Sequence, residues 1–149
     1  MPKHVLDQDA PGLAGRLRAL KSESRRKVVV KASLFAAQRM SELDANTQAL
    51  LDKMRFCGEV LPQDAISAMV LSEAADDQCF KLQEEGAPAE VWGKSFSLGR
   101  LLRGIAVGFG AAPKEDIADA IYETSQSVDN SASLFEHIAS EIGPSPEIK

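Results

Sequence analysis

"ESRRKVVVKASLFAAQRMSELDANTQALLDKMRFC", residues 23–57, decides the fold class of this chain. Apolar or small residues recur in it as Val29, Ser33, Ala36, Met40, Leu43, Thr47, Leu50, Met54 and Cys57, at steps alternating between four and three. That spacing marks one face of an α-helix, and its mean matches a coiled-coil seam. Lys53 and Arg55 sit where cations favour the negative end of a helix, and Gly58 is a natural stop. Unbroken, the segment predicts a helix of about 35 residues, roughly 50 Å long. "LDANTQ", residues 43–48, is its weak joint, because Asp44, Asn46 and Thr47 are poor helix formers; the alternative is two ordinary helices meeting there. A rod of that length outruns a 149-residue domain. Its seam (Val29, Ala36, Met40, Leu43, Leu50 and Met54) is therefore expected to be covered by a second copy or a partner, although an intramolecular hairpin would use the same stripe.

Outward from this segment, helical signals continue in both directions. Residues 1–8 read as an arm, and Asp9 caps a short helix that aligns Leu13, Leu17 and Leu20. Pro62 and Asp64 open a helix that Gly86 closes. Its first half, "AISAMVL" (65–71), is apolar on all sides and expected to be deeply buried; its second half keeps Ala75, Cys79 and Leu82 on one side. This helix is expected to fold back on the long one as a hairpin. Pro88 then starts a short turn with Trp92, ended by Gly93, and Ser97 caps the next helix with a Phe96–Leu101 staple. There Leu98, Leu101, Leu102, Ile105 and Phe109 face the core while Arg100 and Arg103 face away. Pro113, Glu115 and Asp116 suit a helix start, with Ile117 and Ile121 inward. After the polar turn "TSQSVDNS" (124–131), Ser133 and Glu136 have capping-box spacing, and Gly143–Pro144 ends the last helix. The prediction is an all-α helical bundle of about five to six helices, built around one long N-terminal-half helix and a helical hairpin. It forms one domain over 9–143, with a long-helix hairpin part (9–86) and a smaller part (87–143), followed by a tail at 144–149.

Composition bounds the function classes. A 44% hydrophobic chain of this length supports one core, and a net charge of −5 gives no global attraction to nucleic acid. No apolar run has the length of a signal core or a membrane span. Cys57 and Cys79 form no CxxC, so the expectation is a cytoplasmic chain without a metal or cofactor. His4 and His137 are far apart, and His137 is expected to be buried or interfacial rather than catalytic. Carboxylate neighbours such as Asp76/Asp77 splay around a helix instead of converging, which weighs against an enzyme.

Three motifs bear on binding. "GFGAAP" (108–113) lacks the third glycine of a dinucleotide loop and follows a helix, and Glu115 and Asp116 would repel phosphate at the next helix entrance. "LGRLLRGIAVGFGAAPKEDIADAI" (98–121) with "LFEHIASEIG" (134–143) resembles parts of the Cro/Xre repressor-type DNA-binding family. That resemblance implies a compact helical domain whose recognition helix lies between Ile121 and Leu134. Here the interval offers Gln126, Asn130, Ser131 and Ser133 without one Arg or Lys. The third motif is electrostatic. Arg16, Arg18, Lys21, Arg25, Arg26, Lys27 and Lys31 stand against Glu23 alone, a segment suited to an acidic protein or a nucleic acid. The leading expectation is a non-enzymatic helical protein–protein interaction module, a regulator, adaptor, inhibitor or assembly component, binding a protein partner or itself. The alternative is a dimeric DNA-binding transcriptional regulator that uses residues 16–31.

Overall fold

The computed structural model describes residues 5–40 and 43–142. It is all-helical, with eight helices and no strand among the described residues: α1 (Leu6–Asp9), α2 (Leu13–Arg18), α3 (Ser22–Ala37), α4 (Ala45–Cys57), α5 (Pro62–Glu84), α6 (Ala89–Gly108), α7 (Ile117–Ser125) and α8 (Ser131–Ile142). The helical bundle expected from the sequence is present, with more helices than the five to six anticipated. Residues 5–8, read as part of a loose arm, belong to the fold: α1 starts at Leu6, whose side chain is fully buried. His4, the rest of the arm, the Gly143–Pro144 stop and the 144–149 tail lie outside the described residues.

The single long helix is corrected to two. α3 ends at Ala37, and α4 begins after Asp44, whose backbone is extended and whose carboxylate accepts a hydrogen bond from Thr47 Oγ1 at 2.5 Å. The break falls ahead of the expected joint: Asn46 and Thr47 lie inside α4, and of the weak helix formers only Asp44 stands outside it, at the N-cap position. With the rod gone, the seam needs no outside cover. Val29, Ala36, Leu50 and Met54 are buried within the monomer, and Met40 and Leu43 pack partly buried against the same core.

α6 is the axis of the molecule, touching α3, α5 and α7. It is one continuous helix from Ala89, so the predicted Trp92 turn and Ser97 cap are both overturned. Gly93 does not break it, and Phe96 is exposed instead of stapling to Leu101. Its C-terminal half supplies Leu101, Leu102, Ile105 and Ala106 to a core shared with Val29 and Ala32 of α3, Leu51 and Met54 of α4, Ile121 of α7, and Leu134 and Ile138 of α8. Glycines let its neighbours approach. A Cβ on Gly108 would press into Val29 of α3, and one on Gly104 would overlap the Thr124 hydroxyl of α7.

α5 pairs with α6, not with the 23–57 segment; it touches α4 slightly, with Lys53 of α4 paired to Asp64 in its first turn. The two helices form a hairpin turned at Gly86, which takes φ +78°, a conformation favouring glycine. The 86/87 division thus falls in the turn of one closely packed pair. α5 opens with Pro62 in its first turn, and Asp64 accepts a hydrogen bond from the Leu61 N–H at 3.2 Å. α7 has a reciprocal cap: Asp116 accepts from the N–H groups of Ala118 and Asp119, while Asp119 accepts from the N–H of Asp116.

Candidate functional site

The hairpin is built by size. α5 buries its small residues Ala65, Ala68, Ser72, Ala75 and Cys79, and these lie along α6. Ser72 donates to the Gly99 carbonyl at 2.9 Å, and a Cβ on Gly99 would strike the Asp76 carboxylate. Close approach needs small residues on the seam, so the bulky side chains of α5 are left on the outside. Ile66 is 60% exposed, Val70 61% and Phe80 62%, and the adjoining Phe56 and Leu61 are exposed as well. The expectation that "AISAMVL" is buried all round is therefore corrected: its alanines and part of Met69 and Leu71 face inward, and Ile66 and Val70 face out.

These exposed residues fall on one line. Ile66, Val70, Glu73, Asp77, Phe80 and Glu84 recur at steps of four and three, opposite the Ala68–Ala75 seam. All six are exposed. Scattered surface leucines are ordinary, but an aligned row along a 23-residue helix is not scatter. Residues 62–97 of the hairpin also carry net negative charge, with seven carboxylates and two lysines. Asp64 is paired with Lys53 and Asp76 with Arg100. Glu73, Asp77, Glu84, Glu85 and Glu90 have no ion-pair partner among the described residues.

At the hairpin base lies a half-buried ionic network. Arg100 and Arg103, expected to face away from the core, instead bind three helices together. Arg100 bridges Asp76 of α5 at 2.5 Å and Glu123 of α7 at 2.6 Å. Arg103 holds Glu115 at 2.7 Å and reaches Glu123 at 3.6 Å. Burial raises the Glu123 carboxyl above the ordinary glutamate range, outweighing the pull of the two arginines. Burial also works against the Arg100 charge, but Asp76 and Glu123 more than restore it. Each of these charges has an ion-pair partner on another element, so the cluster reads as a brace that fixes the hairpin's angle.

The basic segment is divided by the fold. Arg18 is bonded to Asp116 at 2.7 Å, Arg26 lies 3.5 Å from Glu59 and Lys27 lies 3.9 Å from Glu23. Arg25 donates to the Arg18 carbonyl at 2.6 Å. Arg16 is partly covered, while Lys21 and Lys31 are exposed. Burial opposes ionisation of Asp116, yet Arg18 and the helix N–H groups leave its carboxyl below the usual aspartate range.

Met40 and Leu43, from the predicted seam, line an open cleft of about 1040 Å³ between the α3–α4 connection, the start of α6 and the α7–α8 turn. Arg39, Lys94, Glu90 and Asp129 mix both signs around it. His137, expected to be buried or interfacial, is exposed and stacks on Phe35 at 4.9 Å. Cys57 and Cys79 are free thiols. Among the described residues no group of His, Cys, Asp and Glu could hold a metal, and no helix is long and apolar enough to cross a membrane. Between α7 and α8 the chain makes only the turn 126–130, without the extra helix that a repressor-type domain inserts there.

Comparison with protein-family models, with curated proteins and with solved structures found no match. The signal for the α5 row lay in the sequence as two interleaved stripes, one small and one bulky, on opposite faces of the same helix.

Proposed function

We propose that this chain is a non-enzymatic helical protein–protein interaction module whose contact surface is the outward face of the α5–α6 hairpin. One observation carries the reading: large apolar side chains stand in register on the side of α5 turned away from α6. The hairpin is a rigid mount, because the Arg100–Glu123–Arg103 brace ties it to α7. Helix-in-groove and helix-on-helix recognition use such spaced apolar anchors. Two free thiols suit a cytoplasmic setting. The alternative, a DNA-binding regulator using residues 16–31, draws on the exposed Lys21 and Lys31, but Arg18, Arg26 and Lys27 already face carboxylates.

The test is affinity capture from the source lysate with and without nuclease, using the wild type, Ile66→Asp/Val70→Asp and Arg25→Glu/Arg26→Glu/Lys27→Glu. Both sites are exposed or partly exposed, so the variants are expected to fold. Partners that survive nuclease and disappear only with the α5 variant support the proposal. Partners lost with nuclease, or with the basic-segment variant alone, refute it in favour of the second reading.

A further inference from the structure

Resting on that reading, we infer that the occupant of the α5 face is a cationic amphipathic helix of another protein, with apolar residues over Ile66, Val70 and Phe80 and Lys or Arg over Glu73 and Asp77. The row itself selects this partner. Apolar Ile66 and Val70 on one side and Phe80 on the other flank two adjacent turns of carboxylate, Glu73 and Asp77, and the row ends in a further carboxylate, Glu84. Glu85 and Glu90 at the hairpin turn extend the same sign. Apolar contact supplies area, while opposite charge at the central positions fixes register and excludes acidic competitors. A helix of 23 residues gives a docking line of roughly 35 Å, long enough for about three heptads.

A second copy of this chain fits poorly. Two such rows laid along each other over their full length bring Glu73 and Asp77 of both chains into one seam, with no cation among the row's six positions to meet them. Facing like charges are destabilising, and more so once water is displaced. Nor does the basic segment offer a matching bulky row. Its exposed cations Lys21, Lys27 and Lys31 are accompanied by Val28, Val29 and Val30, all turned into the core.

Three synthetic peptides of about three heptads separate the outcomes. One is an amphipathic Leu/Lys helix, one its Leu/Glu counterpart, and one a Leu/Lys scramble with the same charge and no apolar face. Titration calorimetry against the full chain is expected to show the Leu/Lys helix binding at least about tenfold tighter than either other peptide, and weakening as salt rises. Glu73→Lys/Asp77→Lys is expected to reverse the preference toward Leu/Glu. Glu136→Lys, an exposed carboxylate on α8, is expected to leave it unchanged. Ile66→Asp/Val70→Asp, with helicity checked by circular dichroism, is expected to abolish binding. Equal affinity for Leu/Lys and Leu/Glu overturns the cationic partner while leaving an interaction face in place. Binding that survives Ile66→Asp/Val70→Asp, or no binding at all, overturns the α5 site. Sedimentation showing a dimer that the same pair of substitutions dissolves names a second copy as occupant and refutes the inference.

Discussion

Replacing glycines one at a time along α6 gives alanine substitutions of opposite sign within one helix. Gly93 and Gly104 both lie inside α6, and neither has a positive φ. Alanine is intrinsically better than glycine in a helix interior by about 0.8–1 kcal/mol, so propensity alone makes both changes stabilising. The surroundings differ. A Cβ at Gly93 meets nothing within 4 Å. A Cβ at Gly104 overlaps the Thr124 hydroxyl and lies 3.1 Å from the Ala120 carbonyl and 3.3 Å from the Thr124 nitrogen. Two of these three neighbours are backbone of α7, and Thr124 is itself held by a 3.1 Å bond to Ala120. The clash is relieved only by moving α7 away, an overpacking cost of about 1–3 kcal/mol that meets or exceeds the propensity gain. Gly93→Ala is therefore expected to stabilise by about 0.5–1 kcal/mol. Gly104→Ala is expected to destabilise by up to about 2 kcal/mol. Urea unfolding followed by helical circular dichroism measures both. Thr124→Ala in the Gly104→Ala background is expected to recover part of the loss, since it removes the nearest of the three obstacles. If Gly104→Ala raises the midpoint as Gly93→Ala does, α7 does not rest on α6 as described and the packing argument fails.

Arg100→Met keeps the volume but leaves Asp76 and Glu123 without their shared cation; allowing for partial exposure, the expected loss is about 2 kcal/mol in the same unfolding assay, and a neutral result would show that the brace contributes nothing. Asp116→Ala removes a helix cap and the Arg18 partner and is expected to cost about 1–2 kcal/mol near neutral pH. Because the folded Asp116 carboxyl is held below its unfolded value, that contribution is present above the ordinary aspartate range and is lost as pH falls through the folded value; urea midpoints at stepped acidic pH check that the wild type and variant converge. Glu123 has the opposite sign. Its folded carboxyl is raised, so its contribution is greatest below the ordinary glutamate range and declines as pH rises through the folded value. The stability of Glu123→Gln relative to wild type is accordingly expected to improve from acid toward neutral pH, and a constant difference would contradict the burial of that group.

The residues fix a good deal about this protein without help from the fold. Four-three spacing at Val29–Met54 and the stops at Gly58 and Gly86 mark helical segments and some of their ends, because these depend on neighbours within about a turn. The starts read at Ser97, Pro113 and Ser133 are displaced: Ser97 and Ser133 lie inside α6 and α8, and α7 begins only after Asp116. The identity of the core also followed, since Leu101, Leu102, Ile105, Ile121, Leu134 and Ile138 are apolar at helical spacing and all end up buried. Spacing did not say which helix each stripe would meet. The seam over 29–54 turned out to be internal once the segment divided into α3 and α4, and two arginines read as solvent-facing turned out to join α5, α6 and α7. α5 shows why most plainly. Ile66 and Val70 are as apolar as Ile105 and Leu101, but the closest helix contact went to the opposite, small-residue face. Hydrophobicity is a property of each side chain, whereas burial is settled by which partner surface arrives first and how near its backbone can come, and only the assembled tertiary structure decides that.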